Sequence, residues 1–195
     1  MTAFRKTQVT LTSNAAPFAI RAERAADVAA REALLDACFG ENRHDRTCQR
    51  LRDGRAPAAG LALSAVREGT LVGTVRLWHV SAGGRPALVL GPLAVDPACR
   101  ELGIGAALMQ QALAAARARR HEAVILLGDA PYYARFGFSP EKTGALMLPG
   151  PFERDRLLAI EFQAGTLDGA EGMIVPTGAA LPKRRVVRPL QARAA

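Results

Sequence analysis

The chain has 195 residues, 49% hydrophobic but only 5% aromatic, and a formal net charge of +8. This composition suits one domain whose core is built of Ala, Leu and Val, and with no apolar run near about eighteen residues it excludes a membrane-spanning helix. Three dispersed cysteines (Cys38, Cys48, Cys99) provide neither a disulfide framework nor a zinc-ligand spacing, and the first fifteen residues lack the apolar run of a secretory signal, so a reducing cytoplasm is the expected location and no metal site is expected.

Residues 1–15 are polar and mixed, which predicts a loose extension. A short strand is expected over Phe18–Ala22. Asp27 is then placed to open a helix over 28–39, with Val28, Leu34, Leu35 and Cys38 as its apolar face. A second, highly charged helix is expected over 45–52 and ends at the Gly54, Pro57, Gly60 punctuation; Arg43, His44, Arg46 and Arg50 read as a solvated face. Residues 61–67 and 71–80 alternate like two antiparallel strands joined at Glu68-Gly69-Thr70, and Gly73 marks close packing or a bulge. Ser81–Pro86 reads as a flexible hairpin connection. Later apolar runs predict a buried parallel strand over 123–127, a short helix over 132–136, and strands over 146–148, 157–162 and 173–175.

Pro176–Pro182 is a break before a tail that carries Lys183, Arg184, Arg185, Arg188 and Arg193; without these five the net charge falls from +8 to +3. The pI near 10.4 is therefore weak evidence for nucleic acid. The tail has no aromatic stacking residues, and Val186, Val187 and Leu190 suit packing on the domain or on a partner subunit as well as solvation.

The organising stretch is 88–119, LVLGPLAVDPACRELGIGAALMQQALAAARAR. An apolar strand (88–95) meets a turn at Asp96-Pro97, a glycine-punctuated loop follows, and a long amphipathic helix runs over 103–119. Small residues at a helix start admit a ligand to unpaired N–H groups, where the helix dipole favours an anion. Taken alone, the glycine pair also fits a helix start that binds nothing.

The loop Arg100-Glu101-Leu102-Gly103-Ile104-Gly105-Ala106 resembles the acyl-CoA-binding loop of the GNAT superfamily of N-acetyltransferases. Leu93-Ala94-Val95-Asp96-Pro97 resembles that family's fourth strand and its exit. Leu127-Gly128-Asp129 through Tyr133-Ala134-Arg135-Phe136-Gly137-Phe138 resembles the fifth strand, the short helix and the Tyr-x-x-x-Gly-Phe signature. The combined run is similar to the YhbS-like predicted acetyltransferases within that superfamily. The resemblance implies an α/β GNAT fold, a mixed central β-sheet with flanking helices, over residues 16–175.

It also implies acetyl-CoA as cosubstrate. The backbone of Leu93 and Val95 would hold the pantetheine arm, and the amides of Leu102, Gly103, Ile104, Gly105 and Ala106 the pyrophosphate, with Arg100 adding charge or tying down the loop. Glu101 departs from the glycine common at that place. Tyr133 would protonate or hydrogen-bond the leaving thiolate; otherwise it is an amphipathic core tyrosine. The expected reaction is direct attack by a primary amine, of a small molecule first and of a peptide or protein as alternative, on a monomer or homodimer. His79, Asp129 and Glu68 are the candidates for accepting the amine proton, and Asp129 also suits a helix cap. The rival readings are another acyl-CoA-dependent transferase and a binding protein without turnover.

Overall fold

A sheet in the order β1-β2-β3-β4-β5-β7 runs through the molecule, formed by Ala19–Ala22 (β1), Ala62–Arg67 (β2), Thr70–Ala82 (β3), Arg85–Val95 (β4), Ala123–Leu127 (β5) and Leu157–Glu161 (β7). This computed structural model describes residues 17–182, so the expected N-terminal extension and the basic tail from Lys183 lie outside the described residues. Every pairing in that path is antiparallel except β4 with β5, whose parallel alignment needs the crossover helix α2 (Ile104–Ala118). β6 (Leu146–Met147) and β8 (Gly172–Pro176) extend the sheet at the far end of β3. Among the described residues no helix is long and apolar enough to cross a membrane.

The central strands are buried on both faces, which is why they read as continuous apolar runs. Leu88, Leu90, Val124 and Leu126 meet Ile104, Leu108 and Ala112 of α2 on one face. Val89, Ile125, Trp78 and Leu157 meet Leu51, Leu146 and Leu167 on the other. Gly73 is where α2 comes closest to the sheet: a Cβ there would lie 2.9 Å from Ile104 Cγ2. The bulge expected nearby is present as a register shift between Ala65 and Val66.

Four expectations are corrected. Val28 is exposed, so α1 (Val28–Phe39) buries only its Leu34 and Leu35 side against Ala94 of β4. Residues 45–52 form no α-helix. They lie in two 3-10 turns, Glu41–Asp45 and Thr47–Leu51, separated by the extended Arg46, because this charged run has no 3.6-residue apolar face to bury. Ser81–Pro86 is the expected hairpin connection but a tight one, turning at Gly83-Gly84, since β3 and β4 pair out to Ala82 and Arg85. The short helix α3 spans Ala130–Ala134, two residues earlier than expected. The chain also stays on the body beyond residue 176: Thr177 N–H donates to His79 O, Ala56 N–H to Ala179 O and Leu181 N–H to Gly54 O.

Candidate active site

β4 and β5 pair only at Leu88–Val124 and Val89–Ile125, and beyond these residues the strands diverge. The cause lies in β4. Gly91 and Pro92 stand opposite the single residue Arg76, a bulge that bends the strand, and Pro92 has no N–H to offer a neighbour. Trp78 Nε1–H fixes the bulge by donating to Gly91 O at 2.6 Å. β5 keeps its own partner on the other side, Leu126 with Leu158 and Leu127 with Leu157.

The ladder phase determines which groups the divergence exposes. Asp96 N–H donates to Val72 O at 2.9 Å, so hydrogen-bonded pairs alternate from there along β3 and β4. Ala94 bonds Thr74, whereas Leu93 opposite Val75 and Val95 opposite Gly73 are non-hydrogen-bonded pairs. The N–H and C=O groups of Leu93 and Val95 therefore point away from β3, toward the opening. Cys38 Sγ of α1 reaches Val95 O at 3.4 Å.

At the exit of β4, Asp96 accepts a bond from Ala98 N–H and opens a 3-10 turn over Pro97–Leu102. Gly103 follows at φ +73°, a left-handed conformation that favours glycine, and a Cβ there would meet open space. α2 starts at Ile104, and its first bond closed to Gly103 O comes from Ala107 N–H at 3.0 Å. The amides of Ile104, Gly105 and Ala106 thus precede the intrahelical ladder. Ile104 buries its side chain under Gly73, leaving only its backbone to a ligand. Gly105 is hemmed in: a Cβ there would sit 3.2 Å from Tyr132 Oη and 3.6 Å from Val95 Cγ2. Arg100 is exposed in the 3-10 turn. These features fit a cofactor arm lying along β4 with its phosphates at the start of α2.

The divergence opens into a cavity of about 730 Å³. Its walls are the 3-10 turns with Arg52, the bulged part of β4, the end of β5 with α3, and the 151–156 loop. The turns and this loop are tied together by Thr47 Oγ1 donating to Pro151 O and Arg50 Nη1 donating to Pro149 O.

Tyr133 lines the cavity from α3, wedged against the strand end because Gly128 has no side chain; a Cβ at Gly128 would lie 2.2 Å from its Cε2. Its ring packs on Tyr132 and Phe138. Burial, helped by Tyr132 and Asp129, pushes its phenol up to about 12. Of the three candidate proton acceptors only Asp129 lines the cavity. It occupies the N-cap position of α3, yet its side chain makes no capping bond. His79 instead stacks on His121, and Glu68 sits in the β2–β3 turn.

Arg43 and Arg46, expected on a solvated face, reach the cavity wall; Arg43 pairs with Glu32 and Asp36, and Arg46 lies over the Phe39 ring. Among the cavity residues to which the sequence assigns no role are Thr47, Arg52, Phe152, Glu153 and Arg156. None carries a motif, and only tertiary packing brings them to Tyr133.

A strand pair forced apart by a bulge, with a helix N-terminus at its exit and a tyrosine across the gap, is the architecture of an acyl-CoA-dependent transferase. Residues 28–138 match the Acetyltransferase (GNAT) family, and the chain belongs to that family, whose cosubstrate is acetyl-CoA. Escherichia coli K12 YhbS, named as an uncharacterised N-acetyltransferase, is 27% identical over 157 residues, covering 80% of this chain and 93% of the relative. The E. coli YhbS crystal structure in complex with CoA superposes with a TM-score of 0.72 at 26% identity, over 85% of this chain and 93% of that one. A GNAT acetyltransferase of Brucella melitensis in complex with acetyl-CoA shares the fold at a TM-score of 0.60, with 24% identity over 86% of this chain and 97% of that one.

Proposed function

We propose that this chain transfers the acetyl group of acetyl-CoA to a primary amine of a small molecule by direct attack, with Tyr133 as the acid that attends the departing thiolate. The observation that carries the reading is the outward-facing backbone of Leu93 and Val95 beside the Ile104–Ala106 amides. Those strand groups bond the pantetheine arm as an added strand would, and the amides of Leu102–Ala106 take the pyrophosphate, with Arg100 contributing charge at the rim. E. coli YhbS, a relative of the same fold, was crystallised with CoA, which supports a CoA ligand for this chain.

The chain's own groups then divide the proton work. The neutral amine nitrogen bonds to the carbonyl carbon, the carbon–sulfur bond breaks, and the sulfur takes the electron pair. Tyr133 keeps its proton at neutral pH and donates a hydrogen bond to that sulfur. Asp129, one turn before Tyr133 in the wall of the same cavity, accepts the proton lost by the amine, directly or through water. A covalent acyl-enzyme is not favoured. Cys48 is the one cysteine lining the cavity, and burial raises its thiol, which keeps it protonated. The cavity volume suits a small acceptor beside the acetyl arm.

The test is thiol release from acetyl-CoA against a panel of polyamines, amino sugars, amino acids and peptide N-termini. Amine-dependent release that falls roughly 10- to 1000-fold in Tyr133→Phe, with acetyl-CoA affinity retained, is the expected result. Peptide turnover with no free amine accepted would reassign the acceptor. Acetyl-CoA binding with no amine-dependent release from any class would favour a binding protein.

A further inference from the structure

Arg52 is the group in the cavity that neither the fold nor the cofactor accounts for. It lines the wall opposite the β4 bulge, and its Nη1 lies 3.7 Å from where a Cβ of Gly91 would be. Its Nε is buried with no hydrogen-bond partner, and the guanidinium makes no ion pair among the described residues. Asp53, its chain neighbour, accepts a bond from Gln49 Nε2 at 2.6 Å instead. Burial lowers the Arg52 guanidinium; Cys48 and Asp53 oppose this without reversing it, and the positive charges of Arg43 and Arg46 add to it. The residue is half-buried, but an Nε cut off from water with no acceptor is costly, and removing such a group from a fold is often neutral or stabilising.

The phosphates of the cosubstrate are too far away to be that counter-ion. They are read at the start of α2, past Val95, whereas Arg52 stands beside Gly91. Four residues of strand, bent by the bulge at 91–92, separate these points, at most about 13 Å. The anion must come from the other substrate.

We propose that the acceptor carries a carboxylate on the same small molecule as its amine, and that Arg52 binds this carboxylate; the inference rests on the acetyltransferase reading above. Nε and one Nη of a guanidinium form an edge of two parallel N–H donors that matches the two oxygens of a carboxylate. The cavity is divided in charge accordingly. Arg46 and Arg52 come from the 3-10 turns together with a single carboxylate, Asp45, and Asp129 lies on the side of Tyr133, while Glu153 is engaged with Arg156 at 3.5 Å and Arg43 with Glu32 and Asp36. An amino-carboxylate bound across this field directs its amine toward Asp129 and the acetyl group.

The test compares amino acids with their amides, with the corresponding decarboxylated amines and with aminoalkyl phosphates, using thiol release by wild type, Arg52→Met and Arg52→Lys. The expected preference for the carboxylate over the amide falls about 10- to 100-fold in Arg52→Met and is only partly restored by Arg52→Lys. Calorimetry with acetyl-CoA retains wild-type affinity in both variants, and the melting temperature of Arg52→Met without ligand matches or exceeds that of wild type. Equal turnover of acids and amides by wild type overturns the inference while leaving the transferase reading intact, and a preference for aminoalkyl phosphates overturns the carboxylate. A marked fall in the melting temperature of Arg52→Met also overturns it, because a structural arginine destabilises the fold when lost. Failure of wild type to release thiol with any amine strikes the transferase reading instead.

Discussion

Gly128→Ala isolates the placement of Tyr133 from its chemistry. The new methyl carbon would lie 2.2 Å from Tyr133 Cε2, 2.8 Å from Cδ2 and 3.1 Å from Leu126 Cδ1. Carbon atoms rest about 3.5 Å apart or more, so the ring must retreat by about 1.3 Å. Its hydroxyl moves at least as far, and a hydrogen bond stretched by that amount from about 2.8 Å is no longer one. The expected kcat therefore falls toward that of Tyr133→Phe, roughly 10- to 1000-fold, with a stability loss of about 1–3 kcal/mol from overpacking. Steady-state thiol release with a saturating acceptor measures it, with a melting curve to show that the variant is folded. The double variant Gly128→Ala/Tyr133→Phe should be no slower than Tyr133→Phe alone, since the glycine acts through the phenol. Full activity in Gly128→Ala beside a crippled Tyr133→Phe, or effects that simply multiply, would refute the reasoning.

Two further expectations concern pH. Because the Tyr133 phenol is raised to about 12, it stays protonated through the alkaline range, and kcat should hold or rise up to pH ~10.5; a descending limb near ~10, absent in Tyr133→Phe, would show an ordinary tyrosine instead. Asp27 accepts bonds from both Arg21 Nη atoms at 2.6 and 2.8 Å, from Arg24 N–H and from Ser64 Oγ, and the Arg21 bonds hold its carboxyl well below the usual range. A depressed folded value means stability that is present above the unfolded value of about 4 and lost as pH falls below it. Asp27→Asn should lower the melting temperature at pH 7 and flatten its decline between pH ~5 and ~3; parallel curves for the two proteins would contradict this.

The central stretch was legible because each residue there answers to a local constraint. Leu88, Val89 and Leu90 of the apolar run are buried on both faces, and Gly103 is needed at a left-handed helix start. The match of β5 to 123–127 has the same origin: a buried parallel strand leaves an unbroken apolar run. The acceptor side was not legible. Residues 41–52 form turns whose shape is set by tethers to Pro149 and Pro151, about a hundred positions away, and no periodicity encodes such contacts. Arg43, Arg46 and Arg52 are the same residue type and have three different fates: paired with carboxylates, laid over Phe39, and set in the cavity wall with its Nε buried and unpartnered. Only packing separates them.

The central claim is that the gap beside Leu93 and Val95, closed by the first amides of α2, holds acetyl-CoA. Titration calorimetry of acetyl-CoA into wild type and Gly105→Val tests it directly, because the valine side chain would fill the approach between Val95 and Tyr132. The account predicts one site per chain in wild type and binding abolished in Gly105→Val at a nearly unchanged melting temperature. Equal affinity in a folded Gly105→Val variant, or no binding to wild type, would contradict it.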